Sequence, residues 1–98
     1  MPAFVIVDVA IKDPEAYEAY KKLTPASIIA FKGKFLVRGG NSVVLEGDWD
    51  PGRLVVLQFP DAEHAKQWWN SEEYAPAKVI RQGAATTRMI LVEGMDKF

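Results

Sequence analysis

The strands of this chain are apolar on both faces, and this feature constrains the fold most strongly. Three apolar runs carry it, at residues 4–11, 54–59 and 89–92. A strand with one face in water alternates apolar and polar residues, and these runs do not. We therefore expect both sides of the sheet to be covered. The helices that the sequence predicts can cover one side, and a second copy of the same sheet is the simplest cover for the other.

Length and composition limit the classes of protein to consider. The chain has 98 residues, a net charge of -1 and no cysteine. We expect one domain over residues 1–98, no disulfides, and no partnership with nucleic acid or membranes. The start resembles a first strand rather than a signal peptide, and no run approaches the ~20 apolar residues of a membrane span. These features predict a cytoplasmic protein.

Local signals predict the first half of the chain. Asp13-Pro14-Glu15 is a strong helix start, because Asp13 can cap the first turn and proline suits its first position. Thr24-Pro25 is expected to break this helix, and a second short helical piece should end at Gly33. Residues 35–38 then read as a strand.

The second half is expected to begin with a hairpin. Asp50-Pro51-Gly52 is a tight-turn signal, so residues 43–48 and 53–59 should pair as antiparallel strands. Two helical segments follow between residues 60 and 84, and residues 86–93 form the last strand. The resulting order, β-α-β-β-α-β, predicts an α+β ferredoxin-like fold with a four-stranded antiparallel sheet and helices on one face.

Several motifs along the chain form a recognisable set: Asp13-Pro14-Glu15-Ala16-Tyr17, Tyr20, Gly33, Arg38-Gly39-Gly40, Glu46-Gly47-Asp48-Trp49, Arg53, Ser71-x-x-Tyr74 and Val92-Glu93-Gly94. With this set the chain resembles an uncharacterised bacterial family, domain-of-unknown-function family 1330 of the dimeric α+β barrel superfamily. The resemblance covers nearly the whole chain. One departure is Lys32, where the family often has a second glycine beside Gly33.

This resemblance implies a homodimer whose two sheets pack face to face as a barrel, with the helices outside. It implies no settled activity. Relatives in the superfamily include cofactor-independent monooxygenases, lactone isomerases and haem-binding enzymes.

Charged residues in the strands are the first candidates for chemistry. Arg38 ends an apolar strand beside two glycines and could bind a carboxylate or enolate. The alternative is a structural ion pair with Asp8 or Glu46. Glu46 and Arg53 should face each other across the predicted hairpin, either as a cross-strand pair or with Glu46 as a general base. Arg38 and Glu46 are thus the catalytic candidates.

Aromatic residues could line an apolar pocket that also offers hydroxyl groups. Trp68 and Trp69 are neighbours on a helix and cannot both face one core. We expect Trp69 in the core and Trp68 beside a cleft, the dimer interface or solvent. The candidate substrate-binding residues are Tyr17, Tyr20, Arg38, Trp49, Arg53, Trp68 and Tyr74. For any one of the aromatic residues, core packing is the competing explanation.

The remaining polar residues carry weaker signals. His64 is the single histidine, so we expect no metal site and no cofactor, and a solvated side chain. A haem-ligating role would require His64 to face a cavity. Ser71 reads as a helix cap, and Arg81 and Arg88 as surface or interface charges.

Two functions therefore stand side by side. The first is a homodimeric small-molecule-binding protein, including a cofactor-independent enzyme of the proton-transfer, isomerase or monooxygenase type acting on a small aromatic or carbonyl acid. The second is a non-enzymatic dimeric interaction module in which the Arg and Glu pairs only fix the dimer. The sequence leaves open whether the protein is an enzyme.

Overall fold

The computed structural model describes residues 1–96, which form a four-stranded antiparallel sheet with three helices packed on one of its faces. The elements, in chain order, are β1 (Ala3–Ile11), α1 (Pro14–Ala30), β2 (Lys34–Arg38), β3 (Arg53–Phe59), α2 (Ala62–Trp69), α3 (Ala75–Ala84) and β4 (Ala85–Glu93). The strands lie in the order β2-β3-β1-β4. This is the α+β ferredoxin-like fold that the sequence predicts.

Both faces of the sheet carry apolar side chains, but the helices cover only one of them. In β1, Val5, Val7 and Val9 are buried against the helices, whereas Phe4 and Ile6 lie on the other face and are half-buried. The apolar character of both faces is therefore confirmed. Within residues 1–96 the helices cover only one of them.

The second face, here called the open sheet face, is apolar across three strands. The register places Ile6 between Val56 of β3 and Ile90 of β4, and pairs Phe4 with Val92. Ile90 is 60% exposed in the single chain. A contiguous exposed apolar surface of this kind is typical of an interaction site.

Helix α1 runs without a break through Pro25, so the expected interruption at Thr24-Pro25 is wrong. Proline has no N–H to donate to the carbonyl four residues earlier, which is that of Lys21. Here the Lys21 carbonyl accepts a hydrogen bond from Arg38 Nη2 at 2.8 Å. The helix start is as predicted, since the Asp13 carboxylate accepts from the Ala16 N–H.

The β2–β3 connection differs from the predicted hairpin. β3 pairs with β2 rather than with residues 43–48, and residues 39–52 contain no strand. β3 also pairs with β1, so both of its edges are occupied and none is left for the segment around Val43. Residues 39–52, the β2–β3 loop, therefore project their apolar side chains outward, with Leu45 96% exposed.

The two adjacent tryptophans have the opposite placement from that expected. Trp68 is 1% exposed and shares the buried face of α2 with Ala65, whereas Trp69 is 41% exposed. The Lys78 ammonium lies 3.8 Å from the centre of the Trp69 ring. Residues spaced by three and by four both lie on one helical face, so the spacing from Ala65 allowed either tryptophan to be the core residue.

Two smaller features complete the fold. The Ser71 hydroxyl accepts from the Tyr74 N–H and donates to the Trp68 carbonyl, so Ser71 caps the turn between α2 and α3. α3 itself begins after Tyr74 without a side-chain cap. In the described part of the chain, no helix combines the length and the apolar character that a membrane crossing requires.

Candidate functional site

The space between α1 and the sheet gathers most of the predicted site residues and is here called the α1 cavity. Its lining includes Tyr17, Tyr20, Arg38, Arg53 and Trp68. Apolar strand residues and Lys21, Thr24 and Phe35 complete the wall. The cavity volume is about 20 Å³, which is room for a single water molecule.

A β-bulge in β2 brings Arg38 to this cavity. Phe35 pairs with Leu57 and Arg38 pairs with Val55, and both of these β3 residues face the helices. Positions three apart in a regular strand point to opposite faces, so an extra residue between them is required. The register shifts between Phe35 and Val37. The Arg38 guanidinium then lies 4.5 Å from the centre of the Phe35 ring.

Arg53 lines the cavity beside Tyr17 and is half-buried. Its guanidinium lies 5.8 Å from the centre of the Tyr17 ring. Gly39 has a φ of 74°, and a Cβ there would collide with this guanidinium. The Arg53 Nε is buried without a hydrogen-bond partner among residues 1–96. A buried donor of this kind calls for a ligand or an ordered water.

The tyrosine hydroxyls of the site form a buried pair. Tyr20 Oη and Tyr74 Oη are 3.0 Å apart, and Arg81 Nε donates to Tyr74 Oη at 3.2 Å. Burial raises the pKa of Tyr20 well above its ordinary value, and the neighbouring Tyr74 adds to this effect. Burial also raises the pKa of Tyr17. Both hydroxyls in the cavity are therefore neutral at pH 7 and can donate hydrogen bonds.

Trp68 and α1 are held together by a chain of side-chain hydrogen bonds. Trp68 Nε1 donates to Ser27 Oγ at 3.1 Å, and Ser27 Oγ donates to the Thr24 carbonyl at 2.7 Å. The Trp68 ring also stacks on Tyr74, with their centres 4.2 Å apart. Trp68 therefore forms a rigid end wall of the α1 cavity.

Three predicted site residues are not part of the α1 cavity lining. Tyr74 lies next to it, against Tyr20 and Trp68, and the other two lie elsewhere. Glu46 is exposed in the β2–β3 loop and makes no ion pair within residues 1–96, so the expected pairing of Glu46 with Arg53 or Arg38 is wrong. Trp49 lies on the open sheet face, where its Nε1 donates to Asp8 Oδ2 at 3.0 Å. The geometry does not place the Glu46 carboxylate where it could act as a base in the α1 cavity.

Asp8 links the β2–β3 loop to the sheet. Besides Trp49, its carboxylate accepts from the Gly52 N–H at 3.0 Å and from Arg88 Nη2 at 2.7 Å. The hydrogen bond from Trp49 is the largest of the effects that lower the pKa of Asp8. Arg88 is accordingly an exposed cross-strand partner of Asp8 on the open sheet face.

Sequence reasoning missed Arg81, which was expected at the surface. It is 5% exposed and lies on the buried face of α3 with Ala77 and Ala84. The spacing of four and three residues from those alanines was the available signal. Lys21 and Thr24 were missed because the helix was expected to break beside them.

His64 lies in the first turn of α2, which Asp61 caps, and is not part of the α1 cavity lining. Its Nδ1 lies 2.7 Å from Asp61 Oδ1, the N-cap carboxylate of α2. The backbone N–H of His64 donates to the same oxygen and lowers the pKa of Asp61, together with the ring contact. Within residues 1–96, no three His, Cys, Asp or Glu side chains cluster in a way that could hold a metal ion.

Comparison with solved structures finds the same fold in proteins that share little sequence identity with this chain. A protein of unknown function from Rhodopseudomonas palustris has a TM-score of 0.77 at 21% identity, covering 97% of this chain and 83% of that chain. SnoaB, a cofactor-independent oxygenase from Streptomyces nogalater, has a TM-score of 0.64 at 14% identity, covering 98% and 95%. An antibiotic biosynthesis monooxygenase has a TM-score of 0.54 at 13% identity, covering 97% and 99%.

The family is shown by the sequence itself. The model of the domain of unknown function family DUF1330 matches residues 2–95, so the chain belongs to this family. A search of curated proteins finds no match. The structural similarities, all below 25% identity, establish the fold alone.

Proposed function

We propose that this protein is a homodimer that binds a small aromatic or carbonyl acid in the α1 cavity and stabilises its anionic form. The observation that carries this proposal is the charge of the cavity. Its described lining contains three basic residues, Lys21, Arg38 and Arg53, and no acidic residue. Lys21 is paired with Glu18 at 2.7 Å, whereas Arg38 and Arg53 form no ion pair within residues 1–96. Guanidinium groups bind carboxylates and enolates through paired hydrogen bonds.

The neutral tyrosines add directional donors to this positive environment. Tyr17 and Tyr20 are protonated at neutral pH, and burial raises their pKa values further, so their hydroxyls can donate to a phenolate or enolate oxygen. The cations lower the pKa of a bound acid, because an opposite charge favours the ionised form. The substrate therefore arrives ionised or gives its proton to water, since the described lining has no carboxylate or histidine to accept it.

This arrangement suits cofactor-independent chemistry of the proton-transfer type. Isomerase and monooxygenase reactions would start from the same bound anion. The similarity to the fold of SnoaB, a cofactor-independent oxygenase, supports testing such chemistry first. A stabilised anion is the reactive form that these reactions share.

Ligand entry requires movement at the rim of the cavity. About 20 Å³ is too small for an aromatic acid. Arg38 is exposed and Lys21 is half-buried, so these two side chains separate the cavity from solvent. Binding would exchange the Arg38 hydrogen bond to the Lys21 carbonyl for one to the ligand.

Salicylate, a phenolic acid, is a suitable probe, with the neutral salicylamide as its shape-matched control. At 100 times its Kd, salicylate should stabilise the protein by about 2.7 kcal/mol, which raises Tm by roughly 10 °C. Arg53→Met should abolish this shift because it removes one of the two arginine cations of the lining. Arg88→Gln, a change at an exposed arginine on the other face, should retain it.

A non-enzymatic dimer module is the second candidate, and two observations favour it. The α1 cavity is nearly filled, and Arg38 is already bound to a helix carbonyl. If this function holds, neither compound shifts Tm, and Arg53→Met lowers the stability of the parent protein. That pair of results would refute the small-molecule proposal.

A further inference from the structure

A second and larger cavity lies between helices α2 and α3 and the edge strand β4, and is here called the α3 cavity. Its volume is about 490 Å³, which is in the range of small-molecule sites. The polar part of its lining includes Lys66, Arg81, Gln82 and Thr87, and the apolar part includes Trp69, Met89 and Leu91.

Arg81 is a buried cation without a counter-ion in the described part of the chain. It is 5% exposed, and none of the ion pairs formed by residues 1–96 includes it. Its one side-chain hydrogen bond in these residues uses Nε, which donates to Tyr74 Oη. The Nη groups of the guanidinium are left for another acceptor. The side chain is largely buried and its guanidinium has lost much of its hydration, so an anionic partner would be favourable here.

Thr87 supplies an independent sign of a missing polar partner. It lies opposite Val9 in the β1–β4 register, on the helix-facing side of the sheet. Its Oγ1 is buried and has no hydrogen-bond partner within residues 1–96. Native structures leave few such atoms unsatisfied. The described residues contain two buried side-chain atoms without a hydrogen-bond partner. Arg53 Nε belongs to a residue of the α1 cavity, and Thr87 Oγ1 belongs to a residue of the α3 cavity.

The remaining walls define the other end of the ligand. Trp69, Met89 and Leu91 form an apolar surface, and the exposure of Trp69 fits a side chain at the mouth. Lys66 adds positive charge at the lining, partly offset by Glu63 at 3.8 Å. A compact anion such as phosphate would leave this apolar surface uncovered.

We propose that the α3 cavity is a binding site for a small monocarboxylate with an apolar body. The carboxylate accepts hydrogen bonds from the Arg81 Nη groups and from Thr87 Oγ1, and the apolar body packs on Trp69 and Met89. The site lies beside the α1 cavity and shares Trp68 and Met89 with it. Arg81, Tyr74 and Tyr20 also form one hydrogen-bonded chain from one cavity to the other.

Phenylacetate is the probe for the test, and phenylacetamide, which has the same shape without the charge, is its control. Titration is followed in ¹H–¹⁵N NMR spectra through the Trp69 indole N–H, because Trp69 lines the α3 cavity and not the α1 cavity. Phenylacetate should shift this signal saturably, whereas phenylacetamide should not. Equal binding of the two compounds, or shifts confined to residues of the α1 cavity, would overturn the proposal.

Three variants test the named residues. Thr87→Val removes only the hydroxyl and should weaken binding roughly fivefold, the equivalent of one lost hydrogen bond. Arg81→Lys keeps the charge but loses the paired donors and should also bind more weakly, and Arg81→Met should not bind. Arg88→Gln, a change at an exposed arginine on the same strand, should bind like the parent.

Stability distinguishes a binding role for Arg81 from a structural one. If the role of Arg81 is to bind a ligand, Arg81→Met removes a buried charge that has no ion-pair partner within residues 1–96. The Tm of this variant without ligand should then be equal to or higher than that of the parent. A large fall in Tm would assign Arg81 to the fold instead. Thr87→Val and Arg81→Lys keep the proposal testable in that case, and parent-like binding by both would refute it.

Discussion

Lys32 is the single non-glycine residue with a positive φ, 62°, in the part of the chain that the structure describes. It follows the C-cap of α1 in a Schellman motif, in which the Gly33 N–H donates to the Ile28 carbonyl and the Lys32 N–H to the Ile29 carbonyl. The left-handed conformation costs a residue with a Cβ roughly 1–2 kcal/mol. A residue with a Cβ at this position therefore has an energetic cost.

We predict that Lys32→Gly stabilises the protein. Relief of the backbone strain, less the extra chain entropy of a glycine, should leave a gain of about 0.5–1 kcal/mol in the free energy of unfolding. Urea denaturation measures it, and Lys34→Gly is the control, because that exposed lysine lies in β2 and should lose stability. A Lys32→Gly protein no more stable than the parent would contradict the assignment of strain.

Sequence reasoning was least successful in predicting the positions of individual side chains. Tyr17, Tyr20 and Arg53 could be selected from the sequence because they lie in or beside elements with clear boundaries. The cavity-facing position of Arg38 could not, since it depends on a bulge within a five-residue strand. The predicted placements of Trp68 and Trp69 were reversed because helical spacing alone does not determine which of two adjacent residues is buried.

At the scale of elements, the β2–β3 loop shows why strand propensity can mislead. Residues 43–46 have the β-branched, apolar character of a strand, yet strands form only where a partner edge is free. The occupied edges of β3 remove that option within one chain. The helices and the remaining strands were predictable, because caps, turns and apolar runs all indicated the same elements.

The loop is instead attached to the sheet through Asp8, and we predict that Asp8→Asn loosens it. The change removes the charge that strengthens three hydrogen bonds, so the free energy of unfolding should fall by about 1–2 kcal/mol. The Trp49 indole N–H signal should move toward the position of a solvent-exposed indole. Glu46→Gln is the control, since this loop carboxylate forms no ion pair within residues 1–96. An unchanged Trp49 signal would contradict the attachment.

Lowering the pH should also loosen the β2–β3 loop, because protonation of Asp8 removes the same charge as Asp8→Asn. The pKa of Asp8 is lowered in the folded protein. The contribution of Asp8 to stability is present above the ordinary aspartate pKa of about 3.9. It is lost as the pH falls below that value and through the lowered pKa. The Trp49 signal of the parent should therefore change in this range, and that of Asp8→Asn should not.

At the scale of the whole molecule, the open sheet face and the β2–β3 loop form one apolar surface. Trp49 connects them, since it belongs to the loop and is hydrogen-bonded to Asp8 on the sheet. A second copy presents the same surface, so a two-fold arrangement can cover both sheets at once. This is the physical basis for the proposed homodimer, and it leaves the α1 cavity on the helix-covered side. The α3 cavity lies at the sheet edge formed by β4, and its lining includes Ile90 of the open sheet face.

A charge placed on the open sheet face tests this assembly directly. We predict that the parent sediments at twice its 10.9 kDa mass at low micromolar concentration. Ile90→Glu should raise the dimer Kd at least 100-fold, because the dimer would bury an unpaired carboxylate at a position exposed in the single chain. Val79→Glu is the matched control, since Val79 is 67% exposed on the outer side of α3 and should leave the dimer intact. A parent that sediments as a stable, folded single chain would show that this apolar surface has another partner.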